Sequence, residues 1–341
     1  LTEVKPEGVL ELYLSDLPMP TPKDHEVVVK VLATPINPSD LGLMVGAADV
    51  SSARAIDRDG LPGIAMNVPE AGMRFMAGRI GQALPIGNEG CGVVVAAGAS
   101  PEAQALMGKT VALIGGEIYA QYRCLAAQMC MPLPEGTAPE DGASCFVNPL
   151  TSLGFVETMK LEGYKAIVHA AAASNLGQML VKICKADGIP LVNIVRSEEQ
   201  VALLKGIGAE IVLNSNDEDF VEKLTAAIAE TEAFLGFDPI GGGKLAGQIL
   251  GAMEAAAVRR MSAYSRYGSD QMKQVYIYGA LDVGPTILNR NFGLTWSLSG
   301  WLLTPFMAKA GPEIVGRMRA RVAAELTTTF KSHYSHQISL A

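Results

Sequence analysis

The stretch HAAAASNLGQ, residues 169–178, places small side chains at Ala172, Ser174 and Gly177. A dinucleotide-binding turn needs small residues at three such places. One permits the tight turn, one lets backbone approach a pyrophosphate, and one lets the next helix pack on its sheet. The Ser174 hydroxyl is a donor for a phosphate oxygen. The N–H groups of Asn175, Leu176 and Gly177 would open a helix, where an anion is favoured. Further on, the apolar run LVNIV (191–195) ends at Arg196 and Ser197. An acidic residue at such a strand end grips a ribose 2′-hydroxyl, whereas an arginine suits a 2′-phosphate. Small residues at a turn also serve packing alone, and Arg196 also reads as a solvated charge. Taken together, the residues favour NADP(H) over NAD(H).

Other chemistry is thinly represented. The five cysteines, at 91, 124, 130, 145 and 184, include no CxxC pair and are odd in number. That argues against a disulfide scaffold and for a reduced, cytoplasmic setting. His169 ends an apolar run and reads as a satisfied core histidine, while His333 and His336 lie in a polar tail. No local signature of a Ser-His-Asp or Cys-His arrangement is present. Asp40 reads as a structural cap, and Tyr119 and Tyr122 as strand residues of the core or of a cleft.

These residues must be positioned by a chain of 341 residues with a net charge of −8, 49% apolar and 18% charged. That length implies two domains, and the acidic balance without a basic cluster argues against nucleic acid as a partner. The longest charge-free stretch, 291–308, contains Asn, Thr, Ser, Pro and Gly and does not read as a membrane span. The first residue is Leu1, and no targeting claim is made from either end. Residues 1–150 carry β-branched runs at 27–32, 92–97 and 110–114 among Pro and Gly, which predicts a mostly β domain. Residues 45–82 interrupt it and read either as a lid or pocket wall or as a solvated excursion. After 150, apolar runs at 166–170, 191–195, 210–213, 233–237 and 275–279 alternate with helix-like stretches at 176–187, 198–206, 217–230 and 244–258. This is the pattern of an α/β, doubly wound parallel sheet.

Four stretches carry a resemblance to a known family: VVVKVLATPINPSDL (27–41), PIGNEGCGVVVAAG (85–98), VNPLTSLGFV (147–156) and the block 166–214. In them the sequence resembles the medium-chain dehydrogenase/reductase superfamily, most closely its zinc-independent quinone oxidoreductase and 2-enoyl thioester reductase branch. The resemblance implies a GroES-like catalytic domain over 1–150, with residues about 310–341 returning to it, and a Rossmann-like NADP-binding domain over 151–309. It also implies that Asn37 lines the nicotinamide side of the site, with Thr151 against the other side of the cofactor. Asn37 before Pro38 also reads as an ordinary turn residue. The backbone of Gly279 and Ala280 would meet the nicotinamide carboxamide. Where zinc members carry ligands this sequence has Asn37, Asn88 and Val147, so no metal is expected. Asn88 is expected to hydrogen-bond backbone and hold its turn. Residues 291–308, with Trp296 and Trp301, would pair two copies as a homodimer; the alternative is a buried strand and helix of a monomer.

Three functional readings follow. The first is an NADPH-dependent oxidoreductase that passes hydride, without metal, to a quinone or a carbonyl-conjugated C=C bond of a small-molecule substrate. The enoyl reductases resembled here use a tyrosine that would fall near position 48, which is Ala48 in this sequence. A second reading is therefore a zinc-free enoyl thioester reductase with another acid, in which Arg54, Arg58, Arg74 and Arg79 meet a phosphorylated carrier. The third is a non-catalytic NADPH-binding protein.

Overall fold

The computed structural model describes residues 1–340, and the chain divides in it into two units, residues 1–147 with 332–340 and residues 148–331. Among the described residues the first unit holds two antiparallel five-stranded sheets. Its strands are β1 (Thr2–Lys5), β2 (Val9–Tyr13), β3 (Glu26–Ala33), β4 (Asp49–Arg58), β5 (Leu61–Asn67), β6 (Ala83–Leu84), β7 (Glu89–Ala97), β8 (Thr110–Ile114), β9 (Tyr122–Ala126) and β10 (Cys130–Pro132). Short helices α1 (Pro38–Met44), α2 (Glu70–Phe75), α3 (Pro101–Gln104) and α4 (Pro139–Ala143) join them. One sheet runs β10-β8-β7-β3-β9. The β-branched runs read from the sequence form its centre: Val27 and Val29 pack with Val94, Val111 and Leu113 in one core cluster.

The other sheet runs β4-β5-β2-β1-β6, and the interruption at 45–82 supplies β4, β5 and α2. This segment is built into the sheet rather than looping out of it, although β4 is largely exposed. Arg58 pairs with Leu61 across a two-residue turn, Asp59-Gly60, in which both residues have positive φ (57° and 81°). Those angles are what a type I′ hairpin turn requires. Met66, Val68 and Met76 of the segment are buried with Val4 and Leu10, which fixes it to the N-terminal strands.

The second unit begins in α5 (Val147–Leu161), whose first residue belongs to the first unit. It continues through β11 (Ile167–His169), α6 (Asn175–Asp187), β12 (Leu191–Val195), α7 (Glu198–Gly206), β13 (Ile211–Asn214), α8 (Phe220–Thr231), β14 (Leu235–Asp238), β15 (Gly241–Gly243), α9 (Leu245–Val258), β16 (Lys273–Ile277), β17 (Asp282–Thr286), β18 (Trp296–Gly300) and α10 (Leu303–Ala324). The sheet is parallel, in the order β13-β12-β11-β14-β16-β18. Taken in chain order, that is the doubly wound arrangement.

Local sequence explains these elements. In α6, Leu176, Met179, Leu180, Ile183 and Cys184 form one buried stripe at helical spacing, and Gly188 ends the helix with φ 67°. All five residues of β12 are buried, as expected of a central parallel strand. Helix α10 breaks at Gly311 (φ 84°) before Pro312 and is held in the second unit, with Arg321 on Asp187 at 2.7 Å and Lys182 on the Thr328 carbonyl at 3.1 Å. Residues 332–340 join the first unit, where the Tyr334 hydroxyl donates to the Glu140 carbonyl at 3.0 Å and accepts from Ser144 at 2.7 Å. Among the described residues no helix is long and apolar enough to cross a membrane.

Candidate functional site

In the second unit, the predicted residues gather where β11, β12 and β16 end. Ligands of open α/β sheets bind outside these carboxyl ends. His169 closes β11, and the chain then turns with Ala171 in the left-handed region (φ 49°). The Ala170 N–H donates to the Phe237 carbonyl at 3.0 Å, and the Ala172 N–H to the Ile194 carbonyl at 3.1 Å. These bonds pin the turn between β14 and β12. Ser174 is the N-cap of α6, its hydroxyl accepting from the Gly177 N–H at 3.1 Å. Ser174 is exposed, Asn175 half-buried, and Leu176, Gly177 and Ala172 are buried.

The turn depends on glycine at one of these positions. A Cβ on Gly177 would lie 2.2 Å from the Ala172 carbonyl oxygen, so only glycine lets the helix approach this closely. Arg196, just past β12, is exposed and makes no ion pair among the described residues. Its backbone is fixed: its N–H donates to Gln200 at 3.0 Å and its carbonyl accepts from Asn216 at 2.8 Å. Ser197 caps α7 by accepting from the Gln200 N–H at 3.3 Å. Gly279, half-buried, and Ala280, exposed, follow β16. Gly279 runs against β14's exit, since a Cβ there would lie 2.7 Å from the Pro239 carbonyl oxygen. Thr151 is buried on α5.

His169 is buried as expected but only half satisfied, which corrects its reading as a fully paired core residue. Its Nε2 lies 2.8 Å from the Tyr278 hydroxyl, while Nδ1 has no partner. Burial pushes its pKa down to about 3, so the imidazole is neutral. Asp238, fully buried at the end of β14, accepts from the Ile240 N–H at 2.8 Å through Oδ1 and leaves Oδ2 unpaired. Burial raises its carboxyl above the ordinary range.

Asn37 lies in the first unit, in a network of its own. It is the N-cap of α1 and forms a capping box with Asp40, whose carboxylate accepts the Asn37 N–H at 2.8 Å. Its amide donates to Glu89 Oε1 at 2.8 Å. Glu89, 1% exposed, also accepts the N–H groups of Phe146 and Val147, both at 2.9 Å, at the start of α5. Burial pushes the Glu89 carboxyl up to about 7, its hydrogen bonds pull it down, and the charge of Asp40 adds to the rise. Asp40 acts structurally, as expected, and its Oδ1 also accepts the Asn88 N–H at 2.9 Å. The Asn88 side chain donates to the Ser39 hydroxyl at 3.0 Å rather than to backbone. The Tyr119 hydroxyl donates to the Pro35 carbonyl at 2.7 Å.

Sequence reasoning missed Glu89, Asp238 and Tyr278. Glu89 was in view within GNEG, but its role depends on partners 52, 57 and 58 residues away. The four arginines of the 45–82 segment are drawn into local contacts. Arg54 donates to Asn67, Arg58 pairs with Glu3 and Glu11, Arg74 pairs with Glu70, and Arg79 donates to the Leu43 carbonyl. Among the described residues no three His, Cys, Asp or Glu side chains group to hold a metal ion.

No family model matches the chain. Prostaglandin reductase-3 of Mus musculus is 27% identical over 203 residues, 60% of this chain and 46% of that protein. The mitochondrial enoyl-(acyl-carrier-protein) reductase of Rattus norvegicus is 24% identical over 212 residues, 60% of this chain and 49% of that protein. The chain thus spans about half the length of these curated relatives. A crystal structure from Mesorhizobium loti, assigned as an NADPH:quinone reductase, matches with a TM-score of 0.67 at 29% identity, over 90% of this chain and 78% of that one. The relatives and structural neighbours are prostaglandin, enoyl and quinone reductases of the medium-chain dehydrogenase/reductase superfamily. The chain has that superfamily's fold: a Rossmann-type parallel sheet in one unit and GroES-like antiparallel sheets in the other.

Proposed function

We propose that this chain is an NADPH-dependent reductase that delivers hydride to a quinone or to a carbonyl-conjugated C=C bond without a metal ion. The observation that carries this reading is the glycine-dependent turn at the end of β11 beside the exposed, unpaired Arg196 at the end of β12. Ser174 and the amides of Asn175, Leu176 and Gly177 would hold the pyrophosphate, with Ala172 leaving room for backbone approach. Arg196 and Ser197 would hold a 2′-phosphate, which supports NADP(H) over NAD(H). Gly279 and Ala280 would meet the nicotinamide carboxamide through backbone, and Thr151 would stand against the cofactor's other side.

When bound, the cofactor supplies the hydride. The protein's part is to orient it and to receive the charge that develops on the substrate oxygen. Asn37 contributes by fixing the start of α1, since its amide is already given to Glu89. The proton that completes reduction of a quinone or small enone comes from water. The residues do not fit a catalytic zinc ion. The three positions hold Asn37 and Asn88, whose neutral amides are poor zinc ligands, and Val147, whose side chain offers no ligating atom. The engagement of Arg54, Arg58, Arg74 and Arg79 in local contacts weighs against a phosphorylated-carrier substrate.

Two further parts of the reading concern assembly and setting. A second copy would pair through residues 291–308, a role supported by β18 forming the outer strand of the six-stranded sheet. The five free cysteines fit a reduced, cytoplasmic setting. The test is NADPH oxidation by the purified chain against quinones, enones and a crotonyl thioester. Turnover of quinones or enones supports the proposal. Turnover of the thioester alone would replace it with the enoyl reductase reading, and binding without any turnover with the non-catalytic one.

A further inference from the structure

Three polar residues end three neighbouring strands: His169 on β11 and Asp238 on β14, both buried, and the half-buried Tyr278 one residue beyond β16. Strands β11 and β16 both flank β14 and share no ladder bond with each other. His169 is in register with Phe237, and Phe237 with Tyr276. The 2.8 Å contact between His169 Nε2 and the Tyr278 hydroxyl therefore reaches across the end of β14 and ties two strand exits that the sheet leaves independent. The two rings lie nearly parallel, 19° apart, and Phe155 meets the Tyr278 ring edge-on at 4.7 Å. On the other side, the Tyr278 N–H donates to the Asp238 carbonyl at 3.0 Å.

Each exit leads directly into one half of the nucleotide site. From His169 the chain enters the turn that carries Ala172, Ser174 and Gly177; from Tyr278 it enters Gly279 and Ala280. An imidazole with one ring nitrogen unpaired is a poor choice for packing alone, since an apolar ring there would bury no unpaired nitrogen; what the imidazole adds is its bond to the Tyr278 hydroxyl. We propose that the His169–Tyr278 bond is a positioning device that fixes the spacing between the phosphate-side turn and the nicotinamide-side turn. His169 and Tyr278 thereby govern how the nicotinamide half of the dinucleotide is held, without touching the reacting atoms. The proposal rests on the nucleotide reading and adds two residues to it.

The test compares two ligands on the full chain: NADPH, and adenosine 2′,5′-bisphosphate, which lacks the nicotinamide half. Tyr278→Phe keeps the ring and its contact with Phe155 but removes the hydroxyl. It should weaken NADPH binding about tenfold, the scale of one lost hydrogen bond, while leaving adenosine 2′,5′-bisphosphate binding within about twofold. His169→Gln, whose terminal amide can stand near the Nε2 position, should keep NADPH affinity within about threefold of wild type. Wild-type NADPH affinity in Tyr278→Phe would overturn the proposal, as would equal loss of both ligands. If the wild-type chain binds neither ligand, the nucleotide reading itself fails and this inference falls with it.

Discussion

Replacing Glu89 by glutamine should change how the stability of the first unit depends on pH. Its carboxyl is raised from 4.5 to about 7, with burial the largest cause. Below 4.5 it is protonated in both the folded and the unfolded chain. Between 4.5 and 7 the folded chain keeps a proton that the unfolded chain has lost, so stability falls as pH rises through this window and levels off above it. A shift of this size corresponds to about 3 kcal/mol, a sizeable part of the stability of a domain. Glutamine cannot titrate, so Glu89→Gln removes this slope. It also turns an NH2 group toward the Asn37 amide, a donor facing a donor, at a cost of about 1–3 kcal/mol where a buried group loses its partner. The variant should therefore be clearly less stable than wild type near pH 5 and approach or exceed it near pH 8. Urea denaturation at both pH values, with amide exchange at Phe146 and Val147 as the local probe, measures the difference. Equal pH dependence in the two proteins would refute the reasoning.

Other outcomes follow from the same geometry. Arg196→Asp should abolish the preference for NADPH and move it toward NADH, because a carboxylate repels a 2′-phosphate and accepts from a 2′-hydroxyl; paired fluorescence titrations measure this. Gly177→Ala forces a Cβ to 2.2 Å from the Ala172 carbonyl and should lower the thermal midpoint and NADPH affinity together, with a stability loss of about 2 kcal/mol or more. Lys273 is fully buried and pairs with Glu254 at 2.6 Å, with Ser269 and the Gln271 carbonyl completing its bonds. Lys273→Met alone should cost about 3–5 kcal/mol by leaving a buried carboxylate unpaired, and a double change with Glu254→Gln should recover much of it in a thermal melt.

The parts of the fold legible in the sequence are those written locally. The stripe of α6, its Ser174 cap and Gly188 stop, and the β-branched run of β12 lie within short windows. The β4–β5 hairpin was harder to see. The residues of β4 are mostly polar and exposed, so alternation there is weak, although Asp59-Gly60 is a plain turn signal. Five of the six parallel strands fall on the apolar runs, but the strand order, and with it the meeting of His169 with Tyr278, 109 residues apart, emerges only in the folded chain. The same holds for Glu89: the motif marked its neighbourhood, and only the folded chain shows it bridging Asn37 to the start of α5. Buried polar contacts between distant segments leave little trace in local periodicity.

The central claim is that the turn at the end of β11 and Arg196 form a site for NADP(H). Titration of the purified chain with NADPH and with NADH, followed by the quenching of Trp296 and Trp301 fluorescence, tests it most directly. The account predicts saturable binding of NADPH at least about tenfold tighter than NADH, the scale of one charge-assisted phosphate contact. Equal affinity for the two, or binding of neither, would contradict it.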